Sequence, residues 1–320
     1  MALAFVFPGQ GSQAPGMGRD LAAAFPIARE VFGAVDETLR QHLSRLMFEG
    51  PPEELTLTAN AQPALMAHSL AVLRVLEAEG GFRLADRAAL VAGHSLGEYA
   101  ALCAAGAFDL ATTARLLRLR GEAMQDAVAP GVGAMAALLG AEREQAADIC
   151  ARAARDPETG ELQVVEAAND NGGGQVVISG HRTAIERAVE IAKADGVKRA
   201  MILAVSAPFH CALMAPAAEV MRQALADATV LAPAVPVVAN VTAAKATQPA
   251  EIRDLLVRQV TATVRWRESV AAMVAMGCDR FIEIGSGRVL TGLMKRNAPA
   301  AQAMACGTPA DVEAVLRSLT

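Results

Sequence analysis

The sequence predicts an α/β fold with a mainly parallel sheet, interrupted by a small inserted unit. Three observations carry that prediction. Short apolar runs that read as strands alternate with segments whose apolar residues recur at helical spacing, the pattern of a sheet covered by helices on both faces. Hydrophobic residues are 53% of the 320 and charged residues 20%, enough for a sizeable core and too apolar for a disordered chain. Aromatic residues are only 3%, so the core must be built from Ala, Leu, Val and Met. That suits helices packed on a buried parallel sheet better than a surface for stacking bases.

The elements follow in order. Residues 3–7 read as a strand stopped by Pro8-Gly9-Gln10-Gly11-Ser12. Residues 62–76 have helical spacing, with Pro63 suited to a first turn. Residues 88–92 form a strand and 96–105 a helix, joined at Gly93-His94-Ser95-Leu96-Gly97. Far downstream, residues 280–284 form a strand that turns at Gly285-Ser286-Gly287 into a helix over 289–295. Between these halves, 134–139, 162–167, 175–179 and 199–204 read as strands, and 142–154 and 182–194 as helices.

That middle order is βαββαβ, which matches a ferredoxin-like unit. The chain therefore divides into one large domain, residues 1–129 and 204–320, and an inserted subdomain at 130–203. A cleft between them is the natural binding site. Asn169-Asp170-Asn171-Gly172-Gly173-Gly174 falls between two strands of the insertion and reads as a hairpin-type turn in preference to a phosphate cradle. Gly285-Ser286-Gly287-Arg288 has neither the G-K-[ST] ending of a P-loop nor the full dinucleotide fingerprint, and reads as a tight strand-to-helix connection.

A net charge of −5 disfavours a general nucleic-acid binder, which needs a basic footprint. The run Met1-Ala2-Leu3-Ala4-Phe5-Val6-Phe7 has no basic leader, and Pro8-Gly9 ends it too early for a signal peptide or membrane helix. The expectation is a cytoplasmic protein with no membrane partner. Five cysteines, an odd number with no C-x-x-C pair, indicate neither a disulfide framework nor a zinc site.

Ser95 stands at a sharp strand-to-helix turn, which lifts its hydroxyl above the sheet edge and aims the helix amides and dipole at the same spot. Such a serine can form a covalent ester. The same residues also fit a capping box, Ser95 with Glu98, which has no chemistry in it. A nucleophilic serine needs a base, and there are five histidines. His42 and His181 lie in polar stretches, His68 lies inside a helix, and His94 beside Ser95 points away from it. His210 follows the last strand of the insertion, where the chain returns toward the cleft. It is either the general base or a solvent-facing loop histidine. Arg115, Arg118 and Arg120 together read as a solvated helix face.

Five ordered stretches then carry a resemblance: Phe7-Pro8-Gly9-Gln10-Gly11-Ser12-Gln13, Gly93-His94-Ser95-Leu96-Gly97-Glu98-Tyr99, Leu119-Arg120-Gly121, Pro208-Phe209-His210-Cys211-Ala212-Leu213-Met214 and Glu283-Ile284-Gly285-Ser286-Gly287. Together they resemble the successive motifs of the malonyl-CoA:acyl carrier protein transacylases of type II fatty acid synthesis, over nearly the whole chain. The resemblance implies a hydrolase-like α/β domain carrying the insertion. It implies Ser95 as the acylated nucleophile and His210 as its base, oriented by the main-chain carbonyl of Gln259 in place of a carboxylate. It further implies an oxyanion hole from the N–H groups of Gln10 and Leu96, and Arg120 as the ligand of the substrate carboxylate. Malonyl-CoA and acyl carrier protein are the implied partners, with no metal or redox cofactor. An acidic carrier would need a basic rim, for which Lys193, Lys198, Arg199, Lys295 and Arg296 are candidates. Service to polyketide synthesis, and a serine esterase or thioesterase, remain the rival readings.

Overall fold

The computed structural model describes residues 2–319. Among them are ten strands: β1 (Ala2–Phe7), β2 (Ala88–Gly93), β3 (Gly133–Leu139), β4 (Val165–Gly172), β5 (Gln175–His181), β6 (Arg199–Ile202), β7 (Val237–Val238), β8 (Lys245–Ala246), β9 (Cys278–Ile284) and β10 (Gln302–Cys306). Six of these form one sheet in the order β10-β9-β1-β2-β7-β8, and four form a second in the order β4-β5-β3-β6.

In the larger sheet every pairing is parallel except β7 with β8. Central parallel strands are covered on both faces, which is why β1 and β2 are almost unbroken apolar runs. Alternate side chains point to opposite faces. Phe5, Phe7 and Val91 accordingly join the main core with the helices Thr58–Gly80, Leu96–Ala104 and Leu110–Asp126. Ala4, Val6, Leu90 and Ala92 join a second cluster with the helices Trp266–Ala275 and Val289–Asn297. Parallel strands bring the C-terminal ends of β1 and β2 side by side, Phe7 opposite Gly93, so the loops after them meet at one edge.

The smaller sheet is antiparallel throughout. The helices Arg143–Ala153 and Arg182–Ala194 cover one face with Ala136, Leu138, Ile149, Ile178 and Ile185. Met135, Ala168 and Val177 on the other face belong to the main core. The smaller sheet is thus fastened to the main core by its own hydrophobic face.

Three expectations shift. The helix expected from residue 62 begins at Thr58, which places Pro63 inside it. That helix is buried nearly all round, so no apolar stripe marks where it starts. β4 begins at Val165 and runs through Asn169-Asp170-Asn171, leaving only Gly173 and Gly174, at φ 58° and 72°, as the two-residue turn. Its polar residues stay in the strand because tertiary partners satisfy them. Asp170 pairs with Arg267 at 2.9 Å, its N–H donates to Val264 O at 3.0 Å, and Asn297 Nδ2 donates to Asn171 O at 2.8 Å. β6 ends at Ile202, before the expected 204, because the chain leaves the sheet there to line a cavity.

All five cysteines are buried and free. Among the described residues no helix is long and apolar enough to cross a membrane. Asp170→Ala should cost about 1–3 kcal/mol by removing the buried acceptor that ties β4 to Arg267. Urea unfolding checks this, and a loss below about 0.5 kcal/mol would mean that the pair contributes little.

Candidate active site

The turn between β2 and the helix Leu96–Ala104 is tight because two glycines let backbones touch. A Cβ on Gly93 would come within 1.9 Å of Gly97 carbonyl atoms, and one on Gly97 within 2.3 Å of Phe7 O. Ser95 at the apex has φ 54° and ψ −114°, a left-handed φ for a non-glycine residue. Its side chain does not cap the helix. Glu98 turns inward to accept from Asn240 N at 3.0 Å and Gln259 Nε2 at 2.8 Å, so the capping box of the sequence reading does not form.

Ser95 Oγ stands 2.7 Å from His210 Nε2. His210 is buried, not solvent-facing, and also has a positive φ of 59°. Its Nδ1 lies 2.9 Å from the main-chain oxygen of Gln259. A ring that donates from Nδ1 to that carbonyl leaves Nε2 as an acceptor for the serine hydroxyl. Burial, and next the Arg120 charge, push His210 down to about 3, so the imidazole is neutral at ordinary pH.

Arg120 corrects the solvated-face reading. It is buried, whereas Arg115 is exposed and Arg118 half-buried. Its Nη1 donates to Gln62 Oε1 at 2.7 Å, and its Nη2 to Gln259 Oε1 at 2.9 Å and Ser95 Oγ at 3.2 Å. The guanidinium also lies over the Tyr99 ring at 5.6 Å. All three hydrogen-bond partners are neutral, so a buried cation faces the Ser95 hydroxyl without a directly bound carboxylate.

Gln10, Ser95, Arg120 and His210 line one cavity of about 300 Å³, together with Gln62, His94, Asn169 and residues 203–205 at the end of β6. The cavity thus lies where the insertion meets the large sheet. Gln10 comes from the loop after β1, and Leu96 is the first residue of the elbow helix, where amide N–H groups lack intrahelical partners. A more open depression of about 890 Å³ lies on the outer face of the insertion and contains none of these residues.

The other histidines are elsewhere engaged. His94 donates from Nε2 to Asn171 Oδ1 at 2.9 Å and packs on Trp266, pointing toward the insertion. His68 is buried against Gly307 O at 3.0 Å, His181 accepts from Val164 N at 2.9 Å, and His42 is exposed. Of the basic candidates, Lys198 packs against Gly140, next to the Gly173-Gly174 turn, and Arg296 donates to Gly173 O at 3.2 Å. Arg199 and Lys295 adjoin these two and are exposed. Lys193 is separate, paired with Glu190 at 2.7 Å.

Sequence reasoning missed Gln62, Glu98 and Asn240, and missed the Gln259 side chain while naming its carbonyl. All four are buried, and Gln62 and Asn240 are polar residues between apolar neighbours. That was the available signal.

The family model described as acyl transferase domain matches residues 4–309. The malonyl CoA-acyl carrier protein transacylase of Escherichia coli K12 is 47% identical over 98% of each chain. That of Bacillus subtilis 168 is 44% identical over 99% of this chain and 97% of its own. An acyl-carrier-protein S-malonyltransferase from Bartonella henselae superposes with a TM-score of 0.95 at 53% identity, covering 100% of this chain and 99% of that one. A malonyl-transacylase solved in complex with a type II PKS acyl-carrier protein gives 0.94 at 43% identity, covering 99% and 100%. The chain belongs to the acyl transferase family and, within it, to the malonyl CoA-acyl carrier protein transacylases.

Glu98 supplies a stability test. Burial pushes its carboxyl up to about 7, against the hydrogen bonds from Gln259 and Asn240 and the Arg120 charge, which pull it down. A raised acid holds a proton in the fold that the unfolded chain has released, so its contribution falls as pH rises from about 4.5 through about 7. His210 acts oppositely, adding stability as pH rises from about 3 to about 6.5. Glu98→Gln should therefore gain thermal stability relative to the parent chain as pH is raised from 5 to 8. A stability difference unchanged over that range would contradict a raised carboxyl.

Proposed function

We propose that this chain moves the malonyl group of malonyl-CoA to the phosphopantetheine thiol of acyl carrier protein through a malonyl ester on Ser95, in fatty acid synthesis. The supporting observation is Ser95 Oγ held between His210 Nε2 at 2.7 Å and Arg120 Nη2 at 3.2 Å. One neighbour can take the hydroxyl proton. The other offers a buried positive charge within reach of a carboxylate one methylene from an acyl carbon on Ser95.

His210 accepts the proton as Ser95 Oγ attacks the thioester carbon. The backbone N–H groups of Gln10 and Leu96 receive the oxyanion, each such donor being worth ~3–4 kcal/mol. The C–S bond breaks, His210 returns the proton to the CoA sulfur, and malonyl-Ser95 remains. The carrier thiol then gives its proton to His210, attacks the ester and restores the Ser95 hydroxyl. Each half-reaction exchanges one acyl bond for another without net oxidation, so the chemistry requires neither a redox cofactor nor a metal.

The Arg120 charge is the second cause that holds His210 down. A bound malonyl carboxylate offsets that charge and makes the imidazole a better base as the substrate arrives. An acetyl group does not. Gln62 and Gln259 hold the guanidinium on both sides and so fix where the carboxylate sits.

The wider reading follows the same lines. Residues 1–129 and 204–320 form a hydrolase-like domain, and residues 130–203 a ferredoxin-like insertion, supported by the βαββαβ element order and the sheet order β4-β5-β3-β6. Lys198, Arg199, Lys295 and Arg296 around the Gly173-Gly174 turn form a basic edge for an acidic carrier. The site of action is the cytoplasm. Polyketide synthesis is the second reading, favoured by the neighbour solved with a type II PKS carrier.

Incubation with malonyl-CoA followed by intact-mass measurement tests the proposal. The expected result is one malonyl adduct, absent in Ser95→Ala and transferable to carrier protein, with Arg120→Ala losing malonyl transfer far more than acetyl transfer. Release of free malonate without transfer would favour a hydrolase, and equal losses in Arg120→Ala would remove its selectivity role.

A further inference from the structure

We propose that Asn240 is a positioning residue that clasps the turn bearing Ser95 and holds the nucleophile in a conformation its own backbone disfavours. This rests on Ser95 being the acylated residue. At φ 54° and ψ −114° Ser95 lies outside the ordinary regions for a side chain with a Cβ. Such residues persist only where their surroundings over-determine them.

Asn240 supplies two of the restraints from one side chain. Its Nδ2 donates to Gly93 O at 2.7 Å, and its Oδ1 accepts from Ser95 N at 2.8 Å. The amide bridges the last residue of β2 and the nucleophile, closing a ring around His94 that fixes where the strand ends and the turn begins. A hydrocarbon there would leave a buried N–H and a buried carbonyl without partners.

The clasp is itself anchored. Asn240 is wholly buried, just beyond β7, the strand paired with β2. Its N–H donates to Glu98 Oε2 at 3.0 Å and its carbonyl accepts from Arg265 N at 3.1 Å. Gln259 Nε2 adds a bond to Ser95 O at 3.0 Å and lies 3.5 Å from Asn240 Oδ1. The restraint therefore comes from the segment after the neighbouring strand and from Gln259, with Glu98 of the elbow helix anchoring both.

Asn240→Ala and Asn240→Asp test the proposal. The Asp side chain has the same shape but must carry a proton to donate to Gly93 O. The ionisable groups around it are Glu98 on the elbow helix, Arg265 ahead of the helix Trp266–Ala275, Arg120 through Gln259, and His94 and His210 on either side of Ser95. Quenched-flow mass spectrometry reads the rate of Ser95 acylation by malonyl-CoA, and circular dichroism reads the folded fraction.

Asn240→Ala should acylate at least about tenfold more slowly per folded molecule, with KM for malonyl-CoA little changed, because misplacing a reacting atom slows the step more than it weakens binding. Asn240→Asp should approach the parent rate at pH 6 and fall away toward pH 8 more steeply than the parent does. Rates within about twofold of the parent with parallel pH profiles would overturn the proposal. So would an Asn240→Asp chain that fails to fold at every pH, since Asn240 would then be a folding determinant. A parent chain that is never acylated contradicts the Ser95 reading instead, so the two failures are distinguishable.

Discussion

Gln259 is the junction on which the site depends. Its main-chain oxygen holds His210 Nδ1, its Oε1 accepts from Arg120, and its Nε2 donates to Ser95 O and Glu98 Oε2. One buried residue at the end of the helix Pro249–Gln259 thereby orients the imidazole, the guanidinium and the backbone that carries the hydroxyl. Because that helix and the elbow helix pack on the same core, their separation is set by hydrophobic contacts and the polar atoms inherit it.

The arrangement is also an electrostatic compromise. Arg120 is buried among neutral partners, and its field lowers the basicity of His210. Glu98 is the buried acid whose Coulomb interaction with Arg120 opposes the effect of burial on both groups. A carboxylate entering the cavity improves this balance, whereas an uncharged acyl group leaves it unchanged. In the function proposed above, selectivity arises from the enzyme's own unmatched charge as much as from the shape of a pocket.

Much of this was legible in the sequence, for physical reasons that differ by residue. The strand-turn-helix at Ser95 was visible because close backbone approach demands Gly93 and Gly97, and the βαββαβ element order over residues 133–202 because it needs only local periodicity. Arg120 was not legible from its helix alone, since spacing cannot tell a cation facing water from one facing a cavity. The Asn169-Asp170-Asn171 stretch reads locally as turn because the partners that keep it in β4, Arg267 and Asn297, are distant in sequence. Asn240, Gln62 and the Gln259 side chain act through pairings of the same long-range kind. A polar residue between apolar neighbours hints at Gln62 and Asn240, but no local pattern names their partners.

The most direct measurement is the rate at which Ser95 of the unmodified chain is acylated by malonyl-CoA and by acetyl-CoA under identical conditions. A buried guanidinium matched to a carboxylate predicts malonyl faster by at least about a hundredfold. Equal rates for the two thioesters would mean that Arg120 does not read the acyl group, and would contradict the account.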